Sequence, residues 1–184
     1  MLSTSNMRIA ISGTHGVGKT TLAEHLAGAL PSYALNVEPY HMLDEDGHDF
    51  ADPPTIEDFE LQLERSIETV RDSEPNTLFD RCPLDILGYL TTHQDADSFD
   101  EGAWLPRVRK AMARIDLIVF VPIEAPDRVA VPRAEAAYRE QIDEALRGII
   151  VDDAYGVELE VLTVEGNERQ RVDTVLARVR PKSK

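Results

Sequence analysis

Residues 13–20 read GTHGVGKT, directly after the apolar run RIAIS and before a helical pattern. Gly13, Gly16, Gly18, Lys19 and Thr20 complete the spacing G-x-x-x-x-G-K-[ST]. Each residue type has a chemical reason. A triphosphate tail needs several backbone N–H donors converging on it, and side chains in the turn would block that approach. Glycines permit both the close contact and the positive φ angles of such a nest. The helix that follows points the positive end of its dipole at the same oxygens. The stretch Gly13, Thr14, His15, Gly16, Val17, Gly18, Lys19, Thr20 and Thr21 is therefore expected to wrap the phosphates of ATP. Lys19 reaches the β- and γ-phosphates, and Thr20 offers a hydroxyl to Mg²⁺. The competing interpretation is a glycine-rich strand–helix turn that binds nothing. The placement between an apolar strand and a helix weighs against it.

A second stretch with chemistry is TLFDRCPLD, residues 77–85. In an α/β sheet, ligands sit beyond the carboxyl ends of the strands. Asp80 ends its strand on that side, where a Mg²⁺-associated or base-like carboxylate must lie. Glu38 ends the second strand on the same side. Asp116 precedes its strand and falls at the opposite edge. Asp80 and Arg81 could equally be a local ion pair and helix cap, and Glu38 an ordinary strand-end carboxylate. Cys82 lacks a paired base in the sequence and reads as a bystander. As the single cysteine it makes no internal disulfide, and with five scattered histidines a structural zinc site is a poor expectation.

The elements that must position these residues alternate. Apolar runs at 7–12, 33–38, 76–80, 117–122 and 158–164 read as strands. Helical patterns fall at 20–30 (stopped by Pro31), 56–71, from Pro83, 137–150 and 167–179. Thr55 and Asp58 resemble a capping box ahead of the second helix. Strands alternating with helices imply βαβ units, so the fold class is α/β, a three-layer α/β/α arrangement around a mostly parallel sheet. At 184 residues the chain is most simply one domain. Residues 42–54 and 94–103 read as acidic loops, and 122–136 as a proline- and arginine-rich segment; Trp104 reads as core.

Composition narrows the class. The formal net charge of −15 would repel duplex DNA or RNA, so nucleic acid is a poor default partner. No apolar run has the length to cross a bilayer, and MLSTSNMRIA lacks the features of a signal peptide, so a cytoplasmic location is the default. Lysine occurs only at 19, 110, 182 and 184, which rules out the Asn/Thr-Lys-x-Asp base-reading motif of translational GTPases. The LSGGQ-type signature of ABC ATPases is absent, and a hexameric AAA-type motor normally needs more chain.

GTHGVGKT, then LFDRCPLDILGYL, then an arginine-bearing segment before the last strand, resembles the nucleoside and nucleotide kinases of the P-loop class. Within that class the chain is most similar to the small kinases and ATP-binding proteins related to the nicotinamide riboside kinase domain, often labelled AAA-domain ATPases. The likeness runs from about residue 7 to 179. It implies a five-stranded parallel sheet, a short helical lid at about 122–150, and phosphoryl transfer from ATP to a small acceptor. It would make Asp80 the carboxylate that orients or deprotonates the acceptor hydroxyl, or holds Mg²⁺ through water. Arg81 would contact the acceptor or the transferring phosphate, and Glu38 would lie at the acceptor pocket. Arg128, Arg133 and Arg139 would sit on a mobile lid, and the VEGNERQRV turn with its arginine near the adenine. The lid arginines also have a physical case, because an arginine swung in at closure stabilises charge spreading over the γ-phosphate. They could instead be surface charges, and Arg139 and Asp143 have the i,i+4 spacing of an ordinary helix pair.

For the acceptor, only Arg81 among the arginines between the P-loop and the lid falls at the useful edge, and the loop LDEDGHDFADP is acidic. Like charges disfavour an anionic acceptor. A neutral or cationic acceptor such as a nucleoside or riboside is therefore mildly favoured over a nucleotide, although the loop could also point into solvent. A nucleotide-binding switch or slow NTPase acting through protein contacts, and a P-loop protein that binds without turnover, stay open at this stage.

Overall fold

The computed structural model describes residues 6–125, 127 and 131–180. Five parallel strands, β1 (Arg8–Ser12), β2 (Ala34–Asn36), β3 (Thr77–Asp80), β4 (Leu117–Phe120) and β5 (Val161–Thr163), lie in the order β2-β3-β1-β4-β5. The register places Ile9 between Leu78 and Leu117, Ala10 between Phe79 and Ile118, and Ile11 between Asp80 and Val119. Parallel neighbours require crossover connections, and helices supply them. These are α1 (Lys19–Ala29), α2 (Pro39–Glu45), α3 (Ile56–Asp72), α4 (Pro83–Thr92), α5 (Glu101–Met112), α6 (Arg133–Leu146) and α7 (Glu168–Val179).

The two-residue alternation of a strand divides the core into two layers. Ile9, Ile11, Leu78 and Val119 pack on Leu22 and Leu26 of α1 and on Val175 of α7. Ala10, Phe79, Ile118 and Phe120 pack on Leu63 of α3, Leu87 of α4, Met112 of α5 and Ile142 of α6. Strands covered on both faces need apolar residues at every position, which is why they appear in the sequence as unbroken runs. The three-layer, five-stranded parallel P-loop fold expected from the sequence is the one observed.

Several local expectations change. Residues 42–45 of the supposed acidic loop belong to α2, started by Pro39 in its first turn. Helix α5 begins inside the supposed acidic connection at 94–103, capped by the Asp100 side chain, which accepts Ala103 N–H, and it carries Pro106 in its interior. Trp104 lies at the margin of the core, its Nε1–H donating to Glu60 at 3.0 Å and its ring under Arg107. The Thr55–Asp58 capping box forms, and the same Asp58 carboxylate also accepts Ala51 N–H at 3.2 Å and meets His48 Nε2 at 2.9 Å, folding residues 48–55 back on α3. Helix α6 lies in the expected lid segment at about 122–150, and its Ile142 and Leu146 are fully buried in the core shared with α4. Among the described residues no helix is long and apolar enough to cross a membrane.

Strand order decides the site. The carboxyl ends of β3, β1 and β4 are adjacent, so the turns that follow them (13–18, 81–82 and 121–125) meet at one edge.

Candidate active site

The turn after β1 has the shape its glycines require. A Cβ on Gly13 would stand 2.3 Å from the carbonyl oxygen of Val121, so no side chain fits where the chain passes the end of β4. Gly18, at φ 89°, is the N-cap of α1. Helix α1 has no capping side chain and no acid in its first turn, so its leading N–H groups are left for an anion. The Lys19 ammonium is 5% exposed and donates to Thr14 O at 2.6 Å. Burial, with the nearby Arg81 charge, pulls its pKa down to about 7, while Asp85 and Asp80 oppose the shift. Among the described residues its ammonium has a single hydrogen-bond partner, the Thr14 carbonyl, and keeps two N–H donors for an anion.

Across the turn, Thr20 Oγ1 donates to Asp80 Oδ2 at 2.6 Å. The other carboxylate oxygen, Oδ1, is buried with no hydrogen-bond partner, as is Arg81 Nη1. Desolvation raises the pKa of Asp80, partly offset by the Thr20 hydrogen bond and the Lys19 charge. With Arg171 Nε, Asp80 Oδ1 and Arg81 Nη1 make three buried polar atoms around the nest that have no hydrogen-bond partner among the described residues, and each could meet a polar group of a ligand. Thr20 and Asp80 together are a hard oxygen donor pair of the kind that holds Mg²⁺ beside a nucleotide.

Arg81 adopts φ 78°, which turns its side chain from the strand direction into the cleft. Its Nε donates to Glu38 Oε2 at 2.5 Å, and its guanidinium lies 5.1 Å from the Tyr89 ring centroid. Burial alone would raise the Glu38 pKa, but the Arg81 charge and hydrogen bond outweigh it and hold Glu38 below the usual range. Both residues line a cavity of about 280 Å³ with His15, Tyr40, Gln62 and Tyr138. His15 contacts Tyr89 Oη at 3.2 Å, and burial and the Arg81 charge lower its pKa, so the ring is neutral at pH 7. The acidic residues 44–46 and 49 do not line this cavity, so the charge argument drawn from that loop is replaced by one drawn from the cavity wall.

A second cleft, of about 570 Å³, opens on the other side of the nest between Val17, Thr21 and the turn Gly166–Arg171. Here the VEGNERQRV turn lies beside the P-loop. Arg171 Nη1 donates to Val17 O at 2.6 Å and Nη2 to Glu124 Oε1 at 2.8 Å.

The three lid arginines part company. Arg139 is 1% exposed, and its partner is Asp127 at 2.7 Å rather than Asp143, which instead accepts Ile123 N–H at 3.0 Å and pairs with Arg147. Arg133, the first residue of α6, is exposed and lines neither cavity. Arg128 lies outside the described residues. Cys82 is fully buried, and burial, helped by Asp85, raises its thiol pKa, which leaves it unreactive.

Sequence reasoning missed Asp85. It is fully buried and accepts Ser12 Oγ–H at 2.8 Å, Gly13 N–H at 3.0 Å and Cys82 N–H at 2.9 Å, tying the start of the nest to the start of α4. The signal was its position three residues after Cys82 with Pro83 between, the spacing of a capping box. Asp85→Ala strands three buried donors at about 1–3 kcal/mol each before relaxation, so a loss of roughly 3 kcal/mol or more is expected in urea unfolding. A loss under about 1 kcal/mol would show that water replaces the carboxylate.

No curated protein matches the sequence. Among solved structures, a deoxyadenosine kinase from M. mycoides with bound dATP superposes with a TM-score of 0.67 at 15% identity, covering 94% of this chain and 98% of that one. The NadR protein in complex with NR gives 0.68 at 17% identity, covering 95% of this chain, which spans 50% of NadR. Thymidylate kinase from Candida albicans gives 0.60 at 15% identity, covering 96% and 92%. At these identities the likeness establishes the fold. The family described as AAA domain matches residues 8–171, nearly the whole described chain. The chain therefore belongs to the AAA domain family.

Proposed function

We propose that the protein is an ATP- and Mg²⁺-dependent phosphotransferase that moves the γ-phosphate to a hydroxyl of a small, neutral, nucleoside-like acceptor. The supporting observation is the junction of two sites. The nest at 13–20 opens on one side to the cleft at Gly166–Arg171, which suits the base. On the other side it meets the cavity walled by Glu38, Arg81 and aromatic rings. Asp80 stands between them with one bound and one unpartnered oxygen.

Each side chain has a task in this reaction. The nest donors and Lys19 bind the phosphate oxygens. Thr20 would hold the metal, with Asp80 reaching it through water, and the metal would supply positive charge to the phosphate oxygens. Asp80, made more basic by burial, accepts the proton of the acceptor hydroxyl. Glu38 and Arg81 orient that hydroxyl. Arg81 is paired with Glu38 and His15 favours its neutral form, so among the described residues this cavity offers little net positive charge to an acceptor phosphate. The uncharged aromatic wall suits a planar, neutral ring.

The test is ATP consumption against a panel of nucleosides, ribosides and nucleoside monophosphates. Turnover is expected to depend on a neutral acceptor and to be at least about tenfold lower in kcat/KM with the matching monophosphate. ATP loss that ignores every acceptor would favour the slow NTPase or switch instead. That second reading draws support from the family label alone, whereas a formed acceptor cavity favours the kinase.

A further inference from the structure

We infer that Arg139 of α6, with Arg171 of α7, is a positioning residue that shapes the phosphate nest before nucleotide arrives, and is not an arginine that swings onto the transferring phosphate. This rests on the polyphosphate reading of residues 13–20. Three successive peptide carbonyls of the turn are each held by a guanidinium from another element. Arg139 Nε donates to His15 O at 3.0 Å, Arg139 Nη2 to Gly16 O at 3.3 Å, and Arg171 Nη1 to Val17 O at 2.6 Å.

A planar trans peptide points its C=O and the next N–H in opposite directions. Holding the carbonyls of 15, 16 and 17 toward the arginines therefore turns the N–H groups of Gly16, Val17 and Gly18 the other way, toward the phosphate. The turn cannot make this choice from its own sequence, because glycines at φ 68° and 89° leave it free to rotate. The fork of Arg139 spans two neighbouring carbonyls at once, which a lysine cannot do.

Both guanidiniums are anchored in turn. Asp127 accepts from Arg139 Nη1 at 2.7 Å. Glu124 accepts from Arg171 Nη2 at 2.8 Å and from Gly166 N–H at 2.7 Å. Both carboxylates come from the segment that leaves β4, the strand whose next residue, Val121, closes over Gly13. Arg139 at 1% exposure would have to abandon three hydrogen bonds to reach a γ-phosphate. A brace is the arrangement its surroundings support. Donors fixed in advance need no reorganisation when charge arrives.

The experiment uses ADP, which fills the nest and has no γ-phosphate. Arg139→Ala and Arg139→Lys are made in the full chain, and ADP affinity, ATP kinetics and amide hydrogen exchange at residues 15–18 are measured on folded protein. The brace predicts that ADP Kd rises about tenfold, as is usual when an outer partner of a binding group is lost. It also predicts faster exchange at Gly16, Val17 and Gly18, with Arg139→Lys closer to Arg139→Ala than to wild type. If Arg139→Ala does not fold, Arg139→Lys and Asp127→Asn carry the same measurements. ADP affinity unchanged while kcat with ATP collapses assigns Arg139 to the transferring phosphate and overturns the inference. A lower melting temperature with unchanged ADP affinity also overturns it, since the role is then purely structural. Wild-type protein that fails to bind ADP sinks the nucleotide reading and this inference together; wild type that binds, with variants that bind equally well, sinks this inference alone.

Discussion

Lys19→Ala is expected to weaken ATP binding by about two orders of magnitude or more, the cost of removing one partner from a desolvated charge pair. The wild-type ammonium is buried, has among the described residues only Thr14 O as a hydrogen-bond partner, and has its pKa pulled down to about 7 by burial and Arg81. Near neutral pH a substantial share of nucleotide-free protein therefore carries neutral Lys19. A bound polyphosphate favours the charged form and raises that pKa. The sign follows: above about pH 7 the free state holds fewer protons on Lys19 than the bound state, so binding takes up a proton and affinity falls as pH rises. Calorimetry in buffers of different ionisation enthalpy, between about pH 7.5 and 9, should read uptake approaching one proton. In Lys19→Ala the uptake should vanish along with the affinity. Turnover unchanged by the substitution would refute the role given to Lys19.

Asp80→Asn should do the opposite, leaving ATP affinity within a few-fold while lowering kcat by about 10²–10⁴. Asparagine keeps the size of the side chain and an oxygen able to accept the Thr20 hydroxyl, now at 2.6 Å from Oδ2. What it loses is the negative charge and the free basicity of Oδ1, the buried oxygen that has no partner. Because desolvation raises the Asp80 pKa, the acid limb of the wild-type rate profile should lie above the ordinary aspartate value. Below that limb the carboxylate is protonated and transfer stops; above it transfer is at full rate. A variant that keeps full transfer would make Asp80 a structural ligand of Thr20. The contrast between the two substitutions is diagnostic, since one removes binding and the other removes chemistry.

The chemistry of the two turns was legible because it is local. A backbone nest can be recognised from glycine spacing alone, and a carboxylate at the end of an apolar run falls at the ligand edge of any parallel sheet. Asp80, Arg81 and Glu38 meet where that reasoning put them, with Arg81 and Glu38 in direct contact. Helix α5 was not legible at its start, because the acidic residues 95–101 have the look of a solvated loop while the packing of Val108, Ala111 and Met112 decides the helix. Asp85 left only a local trace in the sequence, its capping-box spacing from Cys82, because two of its three donors, Ser12 and Gly13, lie 73 and 72 residues away along the chain.

The residue types and their intervals determined by themselves that this chain builds a glycine-rich nest of the P-loop pattern on a buried parallel sheet, since both follow from backbone geometry and side-chain periodicity. Only the tertiary structure decided what each arginine does. Arg81, Arg133, Arg139 and Arg171 carry the same group, yet one faces a cavity, one faces solvent, and two hold the outside of the turn. A guanidinium's role depends on which carboxylates and carbonyls surround it, and those partners arrive from positions far away along the chain.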